Sequence, residues 1–276
     1  MPNPSLDIVI VTHNSRDELP ACLGAVAAST GVSVTSVIVV DNHSTDGTPE
    51  LIASRFPHVS LIRANENLGF ARGNNLGIRA SSGELVLILN PDTVVTPTAI
   101  ARLVRELTER LEAAAAGPRL IDEAGVAELS FGWTISIPGE LRQKMVGALY
   151  RRGAPAVHAL VDQWLRTPGE REWISGACMM TRRVDLEAVG LFDERYFMYT
   201  EDVDLCVAFR NRGRTIRFVP DAEVVHHRGR SADRNPATES MRRRSQLAYY
   251  RKHHPGWAPL LGLYLRLTGR GQPEAS

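Results

Sequence analysis

Apolar and polar positions change rhythm repeatedly over the first 122 residues, short β-type apolar runs being followed by helical stripes. Residues 7–12 (DIVIVT) are almost wholly apolar, which predicts a buried strand. Ser15 and Glu18 have the spacing of a capping box, and Leu19, Leu23, Val26 and Ala27 continue it as a helical face. Residues 36–40 predict a second strand ending at Asp41, after which Thr48 is expected as an N-cap and Pro49 at the first helical position. A third strand is expected over residues 60–63, then an Asn- and Gly-rich turn and a helix through Ile78. The next run, ELVLILNPDTVV (residues 84–95), is an uninterrupted apolar strand that stops at Asn90, Pro91 and Asp92. This alternation predicts an α/β domain, a Rossmann-like, mostly parallel sheet with flanking helices.

Beyond a helix expected over residues 97–110 the rhythm fades. Residues 123–172 show no strong period and are expected to be an irregular insert. Order returns at WISGACMMTRR (residues 173–183), a helix starting near Glu201 and a strand over residues 215–220. From Ala237 onward the pattern is helical, basic and aromatic.

Composition narrows the classes. A chain of 276 residues, 43% of them apolar, can bury a substantial core, so disorder is not expected. A net charge of +1, from 32 basic and 31 acidic residues, gives no whole-molecule attraction to nucleic acid. The basic cluster late in the chain has no nucleic-acid recognition motif beside it. Three distant cysteines, Cys22, Cys178 and Cys206, fit buried reduced thiols better than a disulfide framework. No signal peptide and no apolar run of membrane-spanning length is read, so a cytoplasmic protein is expected, with peripheral contact at the inner face of the membrane as an option.

Several polar groups are placed where chemistry could use them. Asp92 and Asp41 each follow an apolar strand, at the end where α/β sheets bind phosphorylated ligands, and Thr12 and Asn14 border the same edge. Asp41, Ser44 and Asp46 could equally make only a turn and a cap. In NENLGFARGNN (residues 65–75), Gly69 and Gly73 permit close approach or positive φ, and Asn67, Arg72 and Asn74 offer donors, although Arg72 could be a plain surface charge. TEDVDL (residues 200–205) makes Thr200 an expected N-cap, with Glu201, Asp202 and Asp204 in the first turn. A helix dipole favours acids there and helps keep a catalytic carboxylate ionised. His226 and His227 would point to opposite faces of a strand.

Taken in order, VTHNS, VVDNHSTDGT, NENLGFARGNN, the NPD strand, FDERYFMYTEDVDL and VVHHRGRS resemble the nucleotide-sugar-dependent inverting glycosyltransferases of family two, which have the GT-A fold. The resemblance covers about residues 6–232 and is closest to the rhamnosyltransferase branch of bacterial cell-envelope polysaccharide synthesis. It implies a GT-A domain over residues 1–232, with a nucleotide-sugar-binding half (1–122) and an acceptor and catalytic half (123–232), and a C-terminal helical segment (233–276). It implies that Thr12, Asn14, Asp41, Asn67, Gly69, Arg72 and Asn74 line the nucleotide-sugar pocket. Asp92 is the implied ligand of Mg²⁺ or Mn²⁺, completed by His226 or its neighbour His227. Asn90 departs from the commoner D-x-D form, so the cation would arrive largely with the donor. Asp202 is the implied base, with Glu201, Asp204 and Gly176 in acceptor or supporting roles. The implied donor is dTDP-rhamnose, with a UDP- or GDP-sugar as the alternative, and the implied acceptor a saccharide, lipid-linked or growing. A non-catalytic nucleotide-sugar-binding protein is the rival from another class. Residues 241–257 (MRRRSQLAYYRKHHPGW) and the following APLLGLYLRL either lie on an anionic membrane or pack their aromatic rings on the domain.

Overall fold

The apolar run near the amino terminus forms strand β1 (Leu6–Thr12), flanked on both sides by parallel partners. A computed structural model describes residues 4–227 and 236–267. After β1 come α1 (Leu19–Ala27), β2 (Val34–Asp41), α2 (Thr48–Arg55), β3 (Ser60–Arg63), α3 (Gly69–Ala80) and β4 (Leu85–Leu89). They are followed by β5 (Thr93–Val95), α4 (Ala99–Glu109), β6 (Ala113–Ile121) and β7 (Phe131–Gly132). Two helices, α5 (Ile137–Arg151) and α6 (Pro155–Arg166), precede β8 (Gly169–Glu170), β9 (Trp173–Ile174) and β10 (Cys178–Arg182). Then come α7 (Arg183–Val189), α8 (Glu201–Asn211), β11 (Thr215–His226), α9 (Pro236–His253) and α10 (Ala258–Leu267).

The large sheet has the order β3-β2-β1-β4-β10-β6-β11-β5, with β8 on β11. The first four strands are parallel, and β10 enters antiparallel between β4 and β6. This is the expected mixed α/β architecture. Alternation along β1 sends Leu6, Ile8 and Ile10 into one core layer with α1 and α4. Val9 enters the opposite layer with α3, α6 and α8. On that side α3 lies hard against β1: a Cβ at Gly73 would sit 2.8 Å from Val11 Cγ1, so this glycine serves helix-on-sheet packing.

Local details depart from the expectations. The Ser15 side chain does not cap α1, which starts at Leu19 with Pro20 in its first turn. Gly47, at φ 84°, holds the N-cap position of α2, while Thr48 is already helical and donates its hydroxyl to Asp46 at 2.6 Å. Residues 123–172 are not an irregular insert, since they hold β7, α5, α6 and β8. Ser136 caps α5 by accepting from Gly139 N. The last strand runs past residue 220 to His226. All three cysteines are free and buried, as read from their spacing.

The aromatic rings of α9 pack on the domain, Tyr249 and Tyr250 being buried with Tyr196, Val203 and Val207. The expected boundary between residues 232 and 233, and the Arg228, Gly229, Arg230 and Ser231 part of the histidine motif, lie outside the described residues.

Candidate active site

Sheet pairing brings Asp92 and His226 together. β5 leaves the Asn90, Pro91 and Asp92 turn and runs antiparallel to β11, with His226 opposite Thr93. His227 N donates to Asp92 O at 2.9 Å, which locks the register one residue further on. His226 Nε2 then stands 3.5 Å from Asp92 Oδ1, while Nδ1 is 3.5 Å from Glu128 Oε2, at ion-pair rather than hydrogen-bond geometry. Burial opposes charge on this ring, but the two carboxylates outweigh it and hold the imidazole up to about 9. His227 turns away to Glu123, at 2.8 Å. Of the two histidines, His226 is the one beside Asp92.

A second chain of contacts ties the same turn to α8. Asn90 N donates to Ala177 O at 2.9 Å, and neighbouring Gly176 N donates to Asp202 Oδ2 at 3.0 Å. Val203 N donates to Asp202 Oδ1 at 2.8 Å. Thr200 occupies the N-cap position of α8 with φ 76° and makes no side-chain cap bond, and in the first turn the Asp202 carboxylate accepts from the Val203 N–H instead. Glu201 is buried and its neighbour Asp202 half-buried, and loss of water around them raises both carboxyls. The backbone donors favour the charged form of Asp202, whereas Glu201 Oε2 is buried with no partner among the described residues. Burial first and the neighbouring Asp202 carboxylate second raise Glu201 to about 8.

Asp202 and His226 line one cavity of about 380 Å³, walled by Trp133, Trp173, Glu128 and Glu140. Three of those four wall residues, Glu128, Trp133 and Glu140, come from residues 123–172. Glu140 is engaged by Gln246 and Tyr250 of α9, at 2.8 and 2.9 Å. Asp204, two residues beyond Asp202, faces away from this cavity into a buried cluster. It accepts from Tyr196 at 3.2 Å, Lys252 at 2.7 Å and His253 at 2.6 Å, and so clamps α9 to α8.

The other edge residues cluster at the carboxyl ends of β1 and β2. Thr12 and Asp41 are register partners, both buried, and Thr12 Oγ1 and Asp41 Oδ1 have no hydrogen-bond partner among the described residues. Two such atoms on neighbouring strand ends are what an absent polar ligand would satisfy. Asn14, at φ 53°, accepts from Thr45 N at 2.8 Å and fixes the facing loop. Asn67 and Asn74 are committed locally, Asn67 accepting from Asn42 at 3.0 Å and Asn74 donating to Phe70 O at 2.9 Å. Gly69, at φ 75°, lies against the Phe197 carbonyl. Arg72 is half-exposed and pairs with Glu66 at 3.3 Å.

Residues 7–163 match the family described as Glycosyl transferase family 2. An N-acetylglucosaminyl-diphospho-decaprenol L-rhamnosyltransferase of Mycobacterium tuberculosis is 34% identical over 272 residues, spanning 92% of this chain and 87% of that protein. The chain belongs to glycosyltransferase family 2. Among solved structures, a mannosyltransferase of Pyrobaculum calidifontis described in complex with GDP-Man and Mn²⁺ superposes with a TM-score of 0.64. It is 19% identical, and the match spans 94% of this chain and 68% of that one. A GalNAc-T7 structure with UDP, GalNAc and Mn²⁺ gives 0.63 at 16% identity, covering 89% and 48%. The fold is thus GT-A, and this glycosyltransferase has a rhamnosyltransferase among its relatives.

Within the glycosyltransferase, Asp92 and His226 are the residues that could hold a divalent cation. Neighbouring ligands of an octahedral ion with bonds of about 2.1 Å lie about 3 Å apart, close to the separation found here. Among the described residues no group of three His, Cys, Asp or Glu side chains is arranged to hold a metal, so two protein ligands would leave most of the shell to other oxygens. Binding would displace the proton on His226. Sequence reasoning missed Glu128, which orients the far side of that ring, and Asn42, which donates to Asn67 Oδ1 and Gly69 O. It also missed Asn75, which is bonded to both N and O of Phe192 and ties α3 to the loop before α8. Asn42 and Asn75 both sat in motifs already singled out, whereas Glu128 did not.

Proposed function

We propose that this glycosyltransferase moves rhamnose from dTDP-rhamnose, with inversion, onto a saccharide carried by a polyprenyl diphosphate in cell-envelope polysaccharide synthesis. The observation that carries the reading is the shared cavity: Asp202 lies on one wall and His226, backed by Asp92, on another. The name of the Mycobacterium tuberculosis relative supports rhamnose and the lipid-linked acceptor.

In this reading Thr12 and Asp41 bind the nucleoside, and their unpartnered oxygens take its polar edge. Asp202 accepts the proton of the acceptor hydroxyl, whose oxygen forms a bond to the anomeric carbon from the face opposite the donor. The bond from that carbon to the diphosphate oxygen breaks, and its electron pair leaves with the diphosphate. Mg²⁺ or Mn²⁺, held by Asp92 and His226, would neutralise that charge. Of the carboxylates on the cavity wall, Glu128 faces His226 and Glu140 is bonded to side chains of α9, while Asp202 is held by backbone N–H groups that favour its charged form, as a base requires. A single base without a carboxylate nucleophile favours one displacement and inversion. Gly176 supports Asp202 through its N–H, Glu201 stays neutral beside it, and Asp204 holds the helix in place.

The test is product formation by purified protein from dTDP-rhamnose, UDP-sugars and GDP-sugars with a polyprenyl-diphosphate-linked N-acetylglucosamine acceptor. Selective use of dTDP-rhamnose, giving the inverted linkage, supports the reading. Turnover only with a UDP- or GDP-sugar replaces the donor and keeps the site, and no turnover with any donor would leave a nucleotide-sugar-binding protein. Among the described residues no helix is long and apolar enough to cross a membrane.

A further inference from the structure

Helix α10 is apolar on two faces, and one of them packs on the fold. Ala258 and Leu265 point inward and are buried, with Leu261 partly buried against the Tyr249 and Tyr250 cluster. On the other side Leu260, Leu263, Tyr264 and Leu267 recur at helical spacing and are exposed at 58%, 54%, 51% and 78%, with Trp257 exposed just before them. An outward apolar stripe of this kind marks a surface made for contact. Its margin is basic. Arg244, Arg251 and Arg266 line a cavity of about 580 Å³ between α9 and α10, with Leu247 and Leu263 in the same wall. No ion pair among the described residues engages these three arginines.

We propose that the outer face of α10 docks on an anionic phospholipid bilayer, its leucines and Trp257 entering the interface while Arg244, Arg251 and Arg266 meet lipid phosphates. Apolar residues framed by cations suit an acidic bilayer, which supplies hydrocarbon and phosphate side by side. This rests on the proposed use of a polyprenyl-linked acceptor and deepens it. α9, which carries α10, is bonded to Glu140 on the wall of the Asp202 cavity and to Asp204 on the helix of the base. Docking through α10 would thus hold the acceptor cavity at a set position relative to the lipid surface.

The experiment is co-sedimentation of the whole chain with vesicles of phosphatidylcholine alone and of phosphatidylcholine mixed with phosphatidylglycerol, neither containing acceptor. The expected result is binding to the acidic vesicles only. The triple variant Leu260→Ser, Leu263→Ser, Leu267→Ser should lose at least about tenfold in binding, and Arg244→Gln, Arg251→Gln, Arg266→Gln should lose the dependence on acidic lipid. Unchanged melting temperatures would show that both variants fold, and single-leucine variants replace a triple variant that does not. Equal binding to both vesicles, no binding to either, or a solution dimer dissolved by the leucine variant would overturn the proposal. Because transfer to the polyprenyl-diphosphate-linked acceptor is measured separately, vesicle binding without transfer would refute the proposed activity and leave the docking surface standing.

Discussion

Replacing Asp202 by Asn keeps the shape of the side chain and removes its basicity. Asp202 accepts two backbone N–H bonds, from Gly176 at 3.0 Å and Val203 at 2.8 Å. The amide oxygen can keep one of them, while the amide nitrogen must face the other donor. A lost bond with a buried donor left over costs about 1–3 kcal/mol. Part of that cost is offset, because the change also removes a half-buried charge next to Glu201. The net effect on stability is therefore expected to be no more than about 2 kcal/mol by denaturant titration. Loss of a general base, in contrast, should lower kcat by about 10²- to 10⁴-fold. The melting shift produced by dTDP with Mn²⁺ should be unchanged, since Asp202 has no part in the proposed grip on the nucleotide. A variant that folds, binds dTDP and keeps kcat within about threefold of the parent would refute the assignment of the base.

Glu201 makes a pH prediction. Its buried carboxyl is raised to about 8, so between the ordinary carboxylate range and that pH the folded chain holds a proton that the unfolded chain releases, and stability falls as pH rises through the window. Glu201→Gln should remove this decline, with a relative gain of up to about 5 kcal/mol above pH 8 in thermal or urea unfolding; parallel curves for the two proteins from pH 5 to 9 would contradict it. Asp204→Ala strands Lys252 and His253 beside α8 and should cost about 3 kcal/mol in urea unfolding; a loss below about 0.5 kcal/mol would show that the cluster does not clamp α9. His226→Ala should weaken Mn²⁺ dependence of dTDP binding by about 10-fold or more in calorimetry while leaving metal-free dTDP binding intact, and equal Mn²⁺ dependence would remove His226 from the site.

Much of the parallel half was legible because burial on both faces writes strands such as IVIV and LVLIL as unbroken apolar runs. Helices α5 and α6 were not. Leu141 and Met145 of α5 are exposed, so its apolar positions do not mark one face, and only the Ser136 cap with Pro138 behind it signals the start. At the site, Asp92, Asp202 and His226 were readable as motif residues, but their convergence was not. The short β5 carries too few residues to show a period, yet its pairing with β11 separates His226 from His227. Asp204 shared the acidic first turn with Asp202 in sequence, and only packing of α9 tells the two apart. Glu128 belongs to no pattern, being placed by a bridge between Ile121 and Ala127.

The central claim is that the nucleotide diphosphate, the Asp92 and His226 pair and the Asp202 carboxylate share one crevice. Its most direct test is a crystal structure with dTDP and Mn²⁺, using the anomalous signal of manganese. The account predicts one manganese peak between Asp92 and His226 Nε2, at bonds of about 2.1–2.3 Å, with the diphosphate facing the Asp202 cavity. Manganese bound elsewhere, or a dTDP diphosphate walled off from Asp202, would contradict it.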